Sequence, residues 1–310
     1  MVLRYTGNAN RVLVYFIIPC MAVFYIGFLF WSDHNYEKLS NPKELQATAD
    51  RKAQVTESID SVDGIILGGS NASLGLSASL MSKLSNLRWA NLALSNDGFS
   101  HDSYFQFLSN ILTDQQRKGV SYIVYSSAEP RKKRLLAFES RGLTGKKPFS
   151  YIPQFSMASY VRDFFSGTGP NMEEQRFDGY GDLDFDSIDC TREITYHNDY
   201  TQTLSKSELV LWSDSLLTNV SELFPNAKII LSLPNAFDQT AENDRATNYL
   251  KVILERRAIN FATKTRRSIY SRVEVAYPLA NLMCNDSWHA NRRGREWRTN
   301  GLFNYIQSLN

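Results

Sequence analysis

The sequence is short of several features, and each shortage narrows what the chain can be. It carries three cysteines in 310 residues, Cys20, Cys190 and Cys284. Cys20 falls inside an apolar run, which leaves Cys190 and Cys284 as a pair that an exported domain could join; the alternative is two buried thiols. The net charge is only +2, and no basic stripe is interleaved with aromatics, so nothing in the charge points to a nucleic-acid partner. There are no internal repeats. His101 and His197 have no ligand-like spacing to each other and receive no role. What the chain does have is 43% hydrophobic against 21% charged residues, enough to build a packed core rather than a disordered segment.

One long stretch has no charge at all. Residues 12–31 read VLVYFIIPCMAVFYIGFLFW. Twenty residues of helix span about 30 Å, the thickness of a bilayer's hydrocarbon core, and Pro19 is tolerable there. The run is too long for a signal-peptide core, and no small-residue cleavage site comes after it. It reads as an uncleaved transmembrane anchor, and a buried helix of a soluble core is the alternative. Arg4 and Arg11 precede it unopposed, which favours a cytoplasmic tail at 1–11 and a remainder outside the cytoplasm. Residues 32–60 are polar and read as a stalk or first helix, and 61–310 as the main domain.

Within that domain, short apolar runs alternate with helical patterns. Strands are expected at 63–68, 87–94, 120–125, 227–233 and 273–277, and helices at 74–84, 104–112, 209–223, 248–263 and 297–309. The alternation predicts a three-layer α/β/α fold with a parallel sheet of roughly five strands, flavodoxin-like in type. Residues 131–206 break the alternation and read as an insertion that covers a site or binds substrate. In that insertion Asp182, Asp184, Asp186 and Glu193 mimic a calcium loop, but Ser187 stands where such a loop needs glycine and Asp189 where it needs an apolar residue. The segment therefore reads as an acidic, solvated loop with no metal. Its aromatics, Phe177, Tyr180 and Phe185, read as local core, with stacking on sugar rings as the alternative.

Sites on a parallel sheet form at the carboxyl ends of its strands. Gly68-Gly69-Ser70-Asn71 comes directly after the first strand. Glycines there permit a sharp turn, and a serine opening the next helix could be a nucleophile beside outward-pointing amides. It could equally be a helix cap, and the G-x-S-x-G elbow is not met. After the fifth strand comes Asp286-Ser287-Trp288-His289. A carboxylate three residues before an imidazole can hold its tautomer while the imidazole takes a serine proton.

Ile66-Leu67-Gly68-Gly69-Ser70-Asn71 near the start of the domain, with Asp286-Ser287-Trp288-His289 and Gly294 near its end, resembles the SGNH (GDSL-like) hydrolase superfamily over roughly residues 60–310, the insertion excluded. The resemblance implies a catalytic triad of Ser70, Asp286 and His289, with no cofactor. It implies an oxyanion hole from the Ser70 amide and the second block, where Asn96 falls on the usual glycine and Gly98 lies two residues later. The family's third block supplies an asparagine side chain; Ser126-Ser127-Ala128-Glu129 stands there instead, and Asn235 is an alternative donor or a plain turn residue. An N-terminal anchor on such a domain is similar to the bacterial envelope branch, the alginate-type polysaccharide O-acetyltransferases and the D-alanyl transfer protein of teichoic acid synthesis. That branch implies a domain held on the periplasmic face of the inner membrane, a cell-surface glycan or glycolipid as acceptor, and a multi-pass membrane acyltransferase as acyl supplier. Three readings are open: an acyltransferase, a carbohydrate esterase, or a non-catalytic glycan-binding scaffold.

Overall fold

The computed structural model describes residues 40–94, 101–126, 176–185, 206–233, 241–266, 268–270, 272–275, 279–284 and 289–309, with residues 15, 19–21, 23–25 and 27 near the N-terminus. The chain divides into two compact units, residues 1–44 with 144–171 and residues 45–143 with 172–310. In the first, residues 19–21, 23–25 and 27 are helical, and the side chains of Tyr15, Met21, Val23 and Phe24 are exposed. Most of the uncharged run lies outside the described residues; among those described, no helix is long and apolar enough to cross a membrane.

The second unit is built on four parallel strands, β1 (Gly64–Gly68), β2 (Trp89–Asn91), β3 (Tyr122–Ser126) and β4 (Lys228–Ser232), in the order β2-β1-β3-β4. Ala90, Ile65, Ile123 and Ile229 form one row across the sheet, and Asn91, Ile66, Val124 and Ile230 the next. Because successive side chains point to opposite faces, the first row and its alternates Leu67, Tyr125 and Leu231 enter one core with Phe105, Leu108, Leu216, Val220, Ile253 and Leu254. These come from helices α4 (His101–Ile111), α6 (Lys206–Leu223) and α7 (Ala241–Thr265). Ile66, Val124 and Ile230 enter the other core with Ala72, Met81, Leu302 and Ile306, from α2 (Ser70–Gly75), α3 (Ala78–Ser85) and α8 (Arg292–Ser308). Burial on both faces is why these strands read as continuous apolar runs rather than as alternating ones.

The expected fifth strand is a broken one. Of the expected 273–277, residues 276 and 277 lie outside the described residues, and two isolated parallel bridges join β4 to the chain here, Ile229 with Ile269 and Ser232 with Glu274. Those bridges are three residues apart on β4 (229 to 232) and five apart on the outer segment (269 to 274). The unequal spacing leaves two isolated bridges in place of a regular ladder.

Other differences have local causes. The single helix expected at 74–84 is two, because Leu76 and Ser77 are both extended, with Ser77 then capping α3 through Leu80 N–H. A helix α5 (Asp114–Gly119) has a capping box between Thr113 and Gln116, and its six residues are too few to show a periodicity. Residues 32–60 contain a helix, α1 (Ser40–Glu57).

The described part of the expected insertion is a tight hairpin, not a solvated loop. Phe177 and Leu183 pair antiparallel, and the Asp178 carboxylate accepts the amides of Tyr180 and Asp182. The hairpin docks on the outer edge of β2, where Asn91 N–H donates to Tyr180 O at 2.8 Å. Asp182 is buried. Its carboxylate accepts Ser77 Oγ at 2.7 Å, the amides of Ala78 and Ser79, and Asn91 Nδ2. Its oxygens are thus committed to capping α3, which corrects the solvated-loop reading. Of the three aromatics, Phe185 is buried under the Arg295 guanidinium, Phe177 is half-buried beside Lys52, and Tyr180 is exposed. Asp184 is half-buried, while Asp186, Ser187, Asp189 and Glu193 lie outside the described residues.

Candidate active site

The site begins where β1 ends. Gly68 has φ +137°, and a Cβ there would come within 1.8 Å of Ser126 O. Only glycine lets the chain leave β1 this close to the end of β3. Tyr104 OH then accepts Gly68 N–H and donates to Leu92 O, tying the turn to the segment after β2. Burial pushes the Tyr104 phenol far above its ordinary range, so it stays a neutral bridge between the two.

Gly69 is the N-cap of α2, and no side chain caps that helix. Ser70, its first residue, is half-buried, and its Oγ lies 2.9 Å from His289 Nε2. The hydroxyl is therefore engaged with an imidazole instead of with the helix. The two residues are 219 positions apart in the chain and are brought together at the carboxyl edge of the sheet. With Nε2 unprotonated, the Ser70 hydroxyl donates to it, the arrangement a general base requires.

His289 is placed by backbone pairing of 289–290 with 283–284. Cys284 N–H donates to His289 O at 2.7 Å, and Met283 pairs antiparallel with Ala290. Asn291 then caps α8 through Gly294 N–H and donates its own amide to Asn281 O and Met283 O. Gly294 is needed because a Cβ there would meet Leu282 O at 2.0 Å; the helix could not lie this close to the 3-10 turn at Ala280–Leu282 otherwise. Cys284 is buried and disulfide-bonded, while Cys20 is free. Asp286, Cys190, Asn96, Gly98 and Asn235 lie outside the described residues.

Two buried cations were not singled out in the sequence. Arg298 of α8 is 1% exposed. Its Nη1 donates to Asn71 O at 3.1 Å, and its Nη2 reaches Ser126 Oγ at 2.7 Å, Ser232 Oγ at 3.2 Å and Leu233 O at 2.8 Å. Ser232 Oγ also hydrogen-bonds the Glu274 carboxyl group. Burial raises Glu274 above the usual carboxylate range, and it lowers Arg298, with Glu274 opposing that shift. Ser126, at the end of β3, accepts from Arg298 through its hydroxyl, while Ser127, Ala128 and Glu129 lie outside the described residues.

Lys52 of α1 is the second, fully buried. Its Nζ donates to Asn91 O at 2.8 Å and Gly181 O at 2.5 Å and lies 4.6 Å from the centre of the Phe177 ring. Burial pushes its pKa down to about 7, with Asp182 and then Asp178 opposing the shift. Arg298 had a signal in the sequence. It lies at the 4-residue spacing of Gly294, Leu302 and Ile306, a cation inside an otherwise apolar stripe. No group of His, Cys, Asp and Glu fit to hold a metal occurs among the described residues.

No protein-family model matches the chain, and no curated protein does. Solved structures do show a distant likeness. A family two carbohydrate esterase from Clostridium thermocellum, in complex with cellohexaose, is 11% identical with a TM-score of 0.40, covering 81% of this chain and 66% of its own. An acetyl xylan esterase from the rumen bacterium Butyrivibrio proteoclasticus is 8% identical with a TM-score of 0.39, over 81% and 65%. A salicylyl-acyltransferase from a tetracycline biosynthetic pathway is 11% identical with a TM-score of 0.40, over 81% and 56%. The chain thus spans 56 to 66% of the length of these proteins, and a likeness at such scores assigns no function.

Proposed function

We propose that this chain is a serine acyltransferase, or an esterase of the same mechanism, acting on a cell-surface glycan or glycolipid from the outer side of a bacterial inner membrane. The observation that carries the acyl-transfer reading is the 2.9 Å contact between Ser70 Oγ and His289 Nε2 on the first residue of an uncapped helix. Ser70 Oγ attacks the carbonyl carbon of an acyl donor while its proton passes to His289 Nε2. The tetrahedral oxyanion is held by amides at the start of α2, the Ser70 N–H among them. Collapse expels the donor's leaving group, which takes the proton from Nε2 and leaves the acyl group on Ser70. A glycan hydroxyl then attacks that ester, gives its proton to Nε2, and departs acylated as Ser70 recovers its hydrogen. Water in place of the glycan hydroxyl makes the same site an esterase. Asp286, three residues before His289, is proposed to orient the imidazole.

The anchor is proposed from the uncharged run at 12–31, supported by the exposed apolar side chains of Tyr15, Met21, Val23 and Phe24. A multi-pass membrane acyltransferase is proposed as the partner that delivers the acyl group. The test is to give the purified chain an activated acyl ester and candidate glycan acceptors. Acylated glycan that disappears in Ser70→Ala supports the transferase. Free acid alone, also lost in Ser70→Ala, leaves the esterase. Turnover unchanged in Ser70→Ala leaves only a scaffold.

A further inference from the structure

We infer that Arg298 is a positioning residue for Ser70: its guanidinium bolts the six-residue nucleophile helix to the carboxyl ends of β3 and β4 and so sets how the Ser70 hydroxyl and amide are presented. The inference rests on Ser70 being the nucleophile.

A helix of six residues satisfies few of its own backbone groups, since the first four amides and last four carbonyls have no partner inside it. In α2 the amides of Ala72 and Ser73 turn back to Gly69 O, and Leu76 N–H reaches Ala72 O. The Asn71 carbonyl, next to the nucleophile, takes Arg298 Nη1 at 3.1 Å. The other arm of the same planar group is held by Ser126 Oγ, Ser232 Oγ and Leu233 O. Rotation of α2 about its axis would therefore break a bond to a group fixed on two strands. Gly75 completes the fit, because a Cβ there would lie 2.5 Å from Nη1. That guanidinium end has no room to yield while its other arm is bonded to the sheet. A compact ammonium cannot span these acceptors as the planar fork does. The site also tolerates an unfavourable arrangement, since Arg298 Nε and Asn71 Oδ1 are buried with no hydrogen-bond partner among the described residues. The cation sits where it controls the residue after the nucleophile.

The experiment uses the full chain in detergent and a fluorophosphonate probe that phosphorylates activated serines, so that no substrate needs to be known. The rate and the saturation constant of labelling are measured for the wild type, Ser70→Ala, Arg298→Lys and Arg298→Met, each counted per folded molecule by end-point labelling and circular dichroism. The expected result is no labelling in Ser70→Ala. In Arg298→Lys, which keeps the buried charge, the labelling rate constant falls about 10- to 100-fold with a saturation constant within about twofold of wild type. Arg298→Met falls at least as far. A rate constant in Arg298→Lys within about twofold of wild type overturns the inference and leaves Ser70 untouched. Labelling that persists in Ser70→Ala, or is absent from the wild type, overturns the nucleophile reading instead. If Arg298→Met does not fold, Gly75→Ala takes its place. Pressing on Nη1, it is expected to slow labelling in the same way, and labelling at the wild-type rate counts against the inference.

Discussion

Arg298 and Lys52 are the two buried cations among the described residues, and the fold treats them in opposite ways. Each sits in the buried stripe of its helix. Arg298 has Gly294, Leu302 and Ile306 at 4-residue steps, and Lys52 lies among buried Thr48, Ala49, Val55 and Thr56. Each donates to backbone carbonyls on other elements. Arg298 also has the Glu274 carboxyl at one remove through Ser232, and a guanidinium remains charged at any working pH. Lys52 has two carbonyls and an aromatic face, and burial brings it to about 7 against the opposing pull of Asp182 and Asp178. The permanent cation holds the carbonyl of Asn71, the residue after Ser70, which is the proposed nucleophile. The ionisable one stands at the hairpin, where it ties α1 to β2 and to Gly181. A tether can lose its proton; a positioning group cannot do so without changing the site.

The largest effect expected on this contrast comes from removing Arg298. Arg298→Met strands the Asn71 carbonyl and leaves Glu274 without its buried counter-charge, and an unfolding free-energy loss of about 3–5 kcal/mol is expected from urea denaturation. A loss below about 1 kcal/mol would show that the cluster adds nothing to stability. Next is Asp182→Asn, which weakens three hydrogen bonds at the start of α3 and one from Asn91 of β2 and should lower stability by about 1–3 kcal/mol. The hairpin should then become sensitive to limited proteolysis, while the fluorophosphonate labelling rate of Ser70 stays within about twofold.

The third change is a matter of pH. Lys52 falls from an ordinary 10.5 to about 7 in the fold, so the unfolded chain binds the extra proton between those values. The penalty on the protonated form is fully present below about pH 7 and is relieved as the pH rises toward 10.5. Wild type should therefore gain stability on Lys52→Met between about pH 7 and pH 10, read as the difference in urea midpoints. A difference that stays flat or moves the other way would mean that Lys52 remains charged throughout. The smallest effect is expected from Ser232→Ala, about 1 kcal/mol, because Arg298 keeps Ser126 and Leu233 as acceptors.

The order of strands and helices was legible because it rests on local periodicity. β1, β3 and β4 are buried on both faces and read as apolar runs, and the Gly-Gly-Ser turn announces the end of β1. Ser70 and His289 were legible as residue types with a spacing, though their 2.9 Å approach across 219 residues is a property of the sheet edge. What could not be read was set by distant partners. Asp182 looked like a solvated acid because its donors, Ser77, Ala78 and Ser79, are about a hundred residues away. The fifth strand looked continuous because the unequal spacing of its two bridges to β4 leaves no mark on hydropathy. Arg298 was hidden because a cation in a helix reads as a surface residue unless its 4-residue neighbours are weighed with it.

The central claim is that Ser70 carries the acyl group. It is tested most directly by exposing the full chain briefly to p-nitrophenyl acetate, quenching in acid and locating the adduct by peptide mass spectrometry. The expected result is an acetyl group on the peptide bearing Ser70, absent in Ser70→Ala and in His289→Ala. An acetyl group confined to another residue, or equal acetylation of Ser70 with and without His289, would contradict it.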